Sequence, residues 1–218
     1  MRAADRINGW LRRVPTWPLY PLALLPAAHD FWLAFGNRLG ADPVKELEHR
    51  LGLLALQFLI AALAVTPLRE ATGVSLLRFR RMLGLTAFFC AALHFAVWLV
   101  LDRQLAWEEV LKDLVKRPYI VVGFSALVLA PLAATSWNGA VRRMGGAAWR
   151  RLHRLAYPAT LFAAVHFVWL VKAWPLEPLL YLAAVVLLLG WRLVPRRPCA
   201  APPRSTRSRP AAPASRAR

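Results

Sequence analysis

Five histidines are the residues best placed to do chemistry in this sequence, and their positions are unequal. His94 and His166 lie inside long apolar stretches. His153 stands at the arginine-rich mouth of the second of these, His49 at the opposite mouth of another stretch, and His29 in a proline-studded apolar run. An ionisable group inside a membrane is costly and is a functional candidate by default, although a single histidine can also satisfy itself on a carbonyl of a neighbouring helix. Two at one depth say more than one. The stretches holding His94 and His166 run in the same direction, and at ~1.5 Å per residue His94 lies ~18 Å beyond Met82 while His166 lies ~16 Å beyond Leu155. The pair can therefore face each other at one level. Neutral imidazoles so placed can supply both axial ligands of a haem, with Phe88, Phe89, Leu93, Phe162 and Phe167 as apolar walls.

A second level is harder to build. His153 precedes His166 by ~20 Å along the axis, where a second haem can sit, but the intervening residues turn an ideal helix by about 220°. The two share a face only if Pro158 bends the segment. The equivalent position before His94 is Arg81. Its guanidinium is a poor iron ligand yet pairs well with a haem propionate; a charge that only sets topology is an equally good reading. For His49 a solvated interfacial histidine competes with a role in electron exit or quinone chemistry.

The elements that must hold these residues follow from composition. The chain has 218 residues, 58% of them hydrophobic, with ten Trp and ten Phe, more than one soluble core of this size uses. A bilayer must be the solvent. Apolar stretches at 14–35, 51–65, 82–101, 119–135, 155–171 and 176–194 predict an all-α integral membrane protein, a bundle of six transmembrane helices. The first is kinked or partly interfacial, because it carries Pro15, Pro18, Pro21 and Pro26 together with His29 and Asp30.

The formal net charge of +18 raises the possibility of nucleic acid, which the charge distribution argues against. Residues 1–13 hold four Arg and one Asp, 66–81 four Arg and one Glu, 136–154 five Arg and 192–218 eight Arg, the last two without acid. They alternate with balanced links: three basic and three acidic residues at 36–50, four and four at 102–118, and Lys172 against Glu177 near Trp174. Basic residues at helix ends stay cytoplasmic, so both termini are predicted on that side. The expected organisation is a cytoplasmic N-terminus at 1–13, a six-helix domain at 14–194 and a disordered Arg/Pro-rich cytoplasmic tail at 195–218, drawn to anionic lipid. The N-terminal run reads as retained rather than as a cleaved signal, since it lacks an obvious cleavage site. Cys90 lies in a span and Cys199 in the tail, so they form neither a disulfide nor a zinc site.

No phosphate loop, nucleophile elbow or internal repeat is visible. A proton-coupled transporter is expected to carry membrane carboxylates, and among the six stretches only Asp30 lies within one, Glu177 standing at the very edge of the last. A zinc site needs three or four ligands at one locus, which histidines split between two levels do not give. The alternatives to a redox protein are thus a transporter or a structural assembly subunit without a cofactor.

Six segments in order carry a resemblance: Val65-Thr66-Pro67-Leu68-Arg69, Arg80-Arg81-Met82-Leu83-Gly84-Leu85, Lys116-Arg117-Pro118-Tyr119, Thr135-Ser136, Trp149-Arg150-Arg151-Leu152-His153-Arg154-Leu155-Ala156-Tyr157 and His166-Phe167-Val168-Trp169-Leu170-Val171-Lys172. From about Pro21 to Val194 the chain resembles the MsrQ family, formerly YedZ. These are haem-binding membrane subunits of bacterial methionine sulfoxide reductase systems, relatives of the ferric reductase transmembrane domain. The resemblance implies haem b, a bound FMN and residence in the bacterial inner membrane. It also implies electrons taken from the quinone pool or a cytoplasmic flavin reductase and passed to a periplasmic molybdopterin-containing catalytic subunit (MsrP-like). By position it makes His94, His153 and His166 the haem-associated histidines, with Arg81 where wider relatives carry a fourth. The sulfoxide chemistry itself is expected in the partner. Trp149, Arg150 and Arg151 can stack on a flavin ring or grip its phosphate, or simply anchor the interface.

Overall fold

A computed structural model describes residues 3–171 and 175–194. The predicted tail at 195–218, with Cys199, and residues 172–174 of the link near Trp174 lie outside the described residues. Among the described residues every regular element is a helix: α1 (Ala3–Arg13), α2 (Leu19–Phe35), α3 (Pro43–Thr72), α4 (Arg80–Ala96), α5 (Trp107–Lys116), α6 (Pro118–Phe124), α7 (Leu129–Ala134), α8 (Asn138–Met144), α9 (Gly146–His153), α10 (Ala156–Leu170) and α11 (Leu176–Leu193). A 3₁₀ turn at Leu77–Phe79 leads into α4, a π-helical turn at Val97–Asp102 continues it, and a 3₁₀ turn at Ser125–Val128 joins α6 to α7.

Three of the helical stretches are long and apolar enough to cross a membrane: Pro43–Thr72, Leu77–Asp102 and Leu176–Leu193. The other apolar stretches form α2, with 17 residues, α10, with 15, and the α6–α7 segment broken by its 3₁₀ turn. At ~1.5 Å per residue these are a few ångströms short of the ~30 Å hydrocarbon core.

α3 is the axis of the bundle, packed against α2, α4, α10 and α11, and local chemistry fixes both its ends. Asp42 caps its start, its carboxylate accepting from the amide of Lys45 at 3.1 Å, with Pro43 at the first helical position. Gly73, at φ +76, ends it in the left-handed conformation, its amide donating to the carbonyl of Arg69 at 2.9 Å. Leu47 and Leu51 of α3 pack with Ala27 of α2 and Val97 of the π turn. Leu59 packs with Ala87, Leu129, Leu132 and Ala159, and Leu56 with Ala164, Phe167 and Val185. Large apolar side chains outside these clusters, such as Leu187, Phe89 and Trp169, face outward, as they do in a protein whose solvent is lipid.

Within the stretch 1–13, expected only to be a basic terminus, Ala3–Arg13 fold into α1 and dock. Asn8 donates to the carbonyl of Gly73 at 2.9 Å and accepts from the amide of Ser75 at 2.8 Å, and Arg78 donates to the carbonyl of Leu11 at 2.8 Å. The N-terminal helix and the loop after α3 therefore share one end of the bundle, the arginine-rich one. At the opposite end Asp30 of α2 meets Arg50 of α3 at 3.4 Å.

Candidate functional site

α3, α4 with its π turn, α6, α7 and α10 enclose a cavity of about 660 Å³ that opens at the end opposite the arginine-rich one. This volume falls within the range of pockets that hold a cofactor-sized ligand. His94 and His166 both line it, from α4 and α10, with ring centres 6.4 Å apart and planes at 77°. The equal depth expected from the sequence is what the fold delivers.

The two imidazoles are held alike. Nδ1 of His94 lies 2.8 Å from the carbonyl oxygen of Glu48, and Nδ1 of His166 lies 2.7 Å from that of Tyr119. A carbonyl can only accept, so each Nδ1 carries the proton and the Nε2 lone pair remains for a metal. Two imidazoles that bound one metal through nitrogens about 2.0 Å from it would have ring centres about 6 Å apart or slightly more, and the observed separation of 6.4 Å would admit such a metal. Among the described residues no group of three or more His, Cys, Asp or Glu can hold a metal ion. The arrangement suits two axial ligands of a planar complex, not a four-ligand ion site.

The cavity walls are apolar, with Leu56, Leu59, Phe88, Trp98 and Phe167 among them, while its mouth is charged. Lys45, Glu48, Asp102, Arg103 and Arg117 line that mouth. Arg103 lies between two carboxylates, at 3.0 Å from Asp102 and 2.9 Å from Asp113, and Arg117 reaches Asp113 at 3.2 Å. The π turn follows His94 by three residues and leaves Trp98 and Asp102 on the cavity side. Widened helical turns of this kind recur at functional sites. His49 also lines the cavity, its ring 5.4 Å from that of Phe167.

Of the expected aromatic walls, Phe88 and Phe167 line the cavity, whereas Phe89 and Phe162 point outward at 51% and 45% exposure. One residue along a helix turns the side chain by about 100°, so Phe88 and Phe89 cannot share a wall. Leu93 packs toward α2 instead.

His153 and Arg81 occupy a separate locality at the arginine-rich end. The His153 ring stacks on Trp149 at 3.9 Å and 25°, and its Nε2 lies 3.4 Å from Oγ of Ser136. Its Nδ1 is buried without a hydrogen bond among the described residues. Burial first, then the charges of Arg80 and Arg81, hold this imidazole below its ordinary pKa. Trp149 is fixed in turn by donating Nε1–H to the carbonyl of Thr135 at 2.9 Å. Arg81 is exposed at the first turn of α4, and His29 is exposed beside Trp32.

What sequence reading missed is the pair Gly52 and Gly123. A Cβ on Gly52 would lie 3.0 Å from Nδ1 of His94, and one on Gly123 would lie 2.9 Å from Cε1 of His166. Each glycine stands four residues after the residue whose carbonyl the histidine uses, a relation that only the fold reveals. The basic mouth residues Lys45, Arg103 and Arg117 were read as link charges, Arg117 also as part of a family segment, and not as the lining of a cavity.

The family model for the ferric reductase like transmembrane component matches residues 49–164. The chain is 49% identical over 179 residues to the protein-methionine-sulfoxide reductase heme-binding subunit MsrQ of Brucella anthropi, covering 82% of this chain and 81% of the relative. It is 49% identical over 178 residues to the MsrQ subunits of Brucella ovis and Brucella canis, covering 81% of this chain and 80% of each relative. No solved structure matches the chain.

Proposed function

This chain belongs to the MsrQ family, within the ferric reductase-like transmembrane proteins, and from that premise we propose that it is a haem-binding electron-transfer subunit whose haem b is held by His94 and His166. The observation that carries the reading is the facing pair of neutral imidazoles, 6.4 Å apart, each fixed by a carbonyl behind it. Bound there, the haem supplies one-electron redox chemistry. Leu56, Leu59, Phe88 and Phe167 keep water from its faces, and Lys45, Arg103 and Arg117 at the mouth offer cations to its propionates.

His153 belongs, in this reading, to a second redox site toward the other face of the membrane, either FMN or a second haem. Its stacked Trp149 and the nearby charges of Arg80 and Arg81 suit an anionic aromatic cofactor. Arg81 acts there through charge and not as a ligand. The second reading of Trp149, Arg150 and Arg151 as interface anchors applies if no flavin copurifies.

The chain crosses the bilayer six times, with both termini cytoplasmic and residues 14–194 forming the transmembrane domain. The docking of α1 on the loop after α3 supports this, since it puts two basic segments at one end. The protein resides in the bacterial inner membrane, takes electrons from the quinone pool or a cytoplasmic flavin reductase and passes them to a periplasmic molybdopterin-containing methionine sulfoxide reductase subunit. It binds no nucleic acid.

A reduced-minus-oxidised spectrum of the detergent-purified protein, with haem and flavin quantified by extraction, tests this. A b-type difference spectrum lost in His94→Ala and in His166→Ala is expected. Its absence from parent protein made with ample haem would return the transporter and assembly-subunit readings.

A further inference from the structure

The two histidines of the cavity meet their neighbouring helices through the same local device. His94 donates to the carbonyl of Glu48, and four residues on stands Gly52; His166 donates to the carbonyl of Tyr119, and four residues on stands Gly123. In an α-helix the carbonyl of residue i accepts the amide of residue i+4. A carbonyl has two lone pairs, so it can take a second donor if that donor can reach it. The side chain at i+4 normally stands over that approach. At Gly52 and Gly123 there is none, and the imidazole lies in the gap.

We propose that Gly52 and Gly123 are the positioning residues of the axial ligands: each opens a notch through which a histidine reaches a helix carbonyl, which fixes its tautomer, its ring plane and its basicity. This rests on the reading of His94 and His166 as haem ligands. The two notches are not equally tight. A Cβ at position 123 would meet Cε1 of His166 at 2.9 Å and Nδ1 at 3.0 Å, so the ring must move. One at position 52 would meet Nδ1 of His94 at 3.0 Å and Cε1 at 3.2 Å, where a small displacement suffices. Gly84, on the same helix as His94, has nothing within 4 Å of its ideal Cβ and marks what a helical glycine without this role looks like.

A hydrogen bond from Nδ1–H raises the basicity of the ligating nitrogen, and outer partners of this kind are worth roughly 10–100-fold in metal affinity. Pushing the ring off its carbonyl therefore weakens haem retention and, by making the ligand a poorer donor to the oxidised iron, raises the reduction potential. It also alters the angle between the imidazole planes, which the ferric electron paramagnetic resonance spectrum reports.

The test compares Gly123→Ala, Gly52→Ala and Gly84→Ala, purified with haem bound, by haem transfer to an excess of apomyoglobin, redox titration and paramagnetic resonance. Gly123→Ala should lose haem roughly 10–100-fold more readily, titrate at a higher potential and show altered anisotropy. Gly52→Ala should shift the same way by less, and Gly84→Ala should match the parent. If both notch variants hold haem with the parent's potential and spectrum while His166→Ala loses it, the positioning role is wrong and the ligand assignment stands. If His94→Ala and His166→Ala also keep the haem, the ligand reading itself fails. Should Gly123→Ala not accumulate in the membrane, Gly52→Ala decides by the same three readouts.

Discussion

Arg192 donates to the carbonyl oxygen of Leu63 at 3.1 Å, four residues before Pro67. Proline has no amide hydrogen, so the ladder of α3 leaves that carbonyl without its usual donor. In a bilayer a neighbouring helix must make good the loss, and α11 does so with a guanidinium that also donates to the hydroxyl of Tyr157 at 2.9 Å. Arg192→Met should lower stability by about 1–3 kcal/mol, the penalty of a buried acceptor left unsatisfied. The contribution depends on Pro67, so in a Pro67→Ala background, where the amide hydrogen returns, Arg192→Met should cost clearly less. Thermal unfolding in detergent across the four proteins measures the coupling; purely additive melting shifts would show that Arg192 acts elsewhere.

The two arginines at the cavity mouth make opposite predictions about stability. Arg103 is paired with Asp102 and Asp113, and the Asp113 side chain is 9% exposed. Removing its charge by Arg103→Gln leaves Asp102 without this partner and Asp113 held by Arg117 alone, a loss of about 1–3 kcal/mol. Arg117, 46% exposed, shares Asp113 from the solvent side, and Arg117→Gln should stay within about 1 kcal/mol. Melting temperatures in detergent decide this, and equal shifts would place Arg103 outside the supporting network.

His153 is separated from the paired histidines, so its replacement should separate the cofactors. His153→Ala should retain the b-type difference spectrum assigned to His94 and His166 while diminishing whatever the second site holds. Extracted flavin and haem per polypeptide read the outcome. Loss of all haem in His153→Ala would mean that the two localities are one site.

The helical frame was legible in the sequence because its signals are local. The stretches expected at 176–194 and 155–171 are α11, Leu176–Leu193, and α10, Ala156–Leu170. The prolines expected to disturb the first stretch shorten it to Leu19–Phe35. The depth of His94 and His166 was legible for the same reason, since rise per residue is fixed. Rotation was not. Phe89 and Phe162 were expected on the cavity wall and face lipid, because the sequence marks apolar residues without saying which face of an all-apolar helix turns inward. The glycine notches were illegible for a further reason. Gly52 and Gly123 matter only through contacts with residues 42 and 43 positions away, which no window of the sequence contains.

Topology is testable at two exposed alanines on opposite ends of the bundle. Ala41 lies in the balanced link before α3, and Ala147 in α9 among the arginines. The native Cys90 is buried and silent to aqueous reagents, so Cys199→Ser leaves a background with no reactive thiol. In that background Ala41→Cys should react with a membrane-impermeant maleimide in intact spheroplasts, whereas Ala147→Cys should react only after permeabilisation. The reason is the charge asymmetry: 136–154 holds five arginines and no acid, and such segments resist translocation, while 36–50 is balanced. Because α1 is bound to the loop after α3, the N-terminus must follow the side that Ala147 reports. Labelling of both sites from outside would break the alternation of six spans, and labelling of Ala147→Cys alone would invert the protein in the membrane.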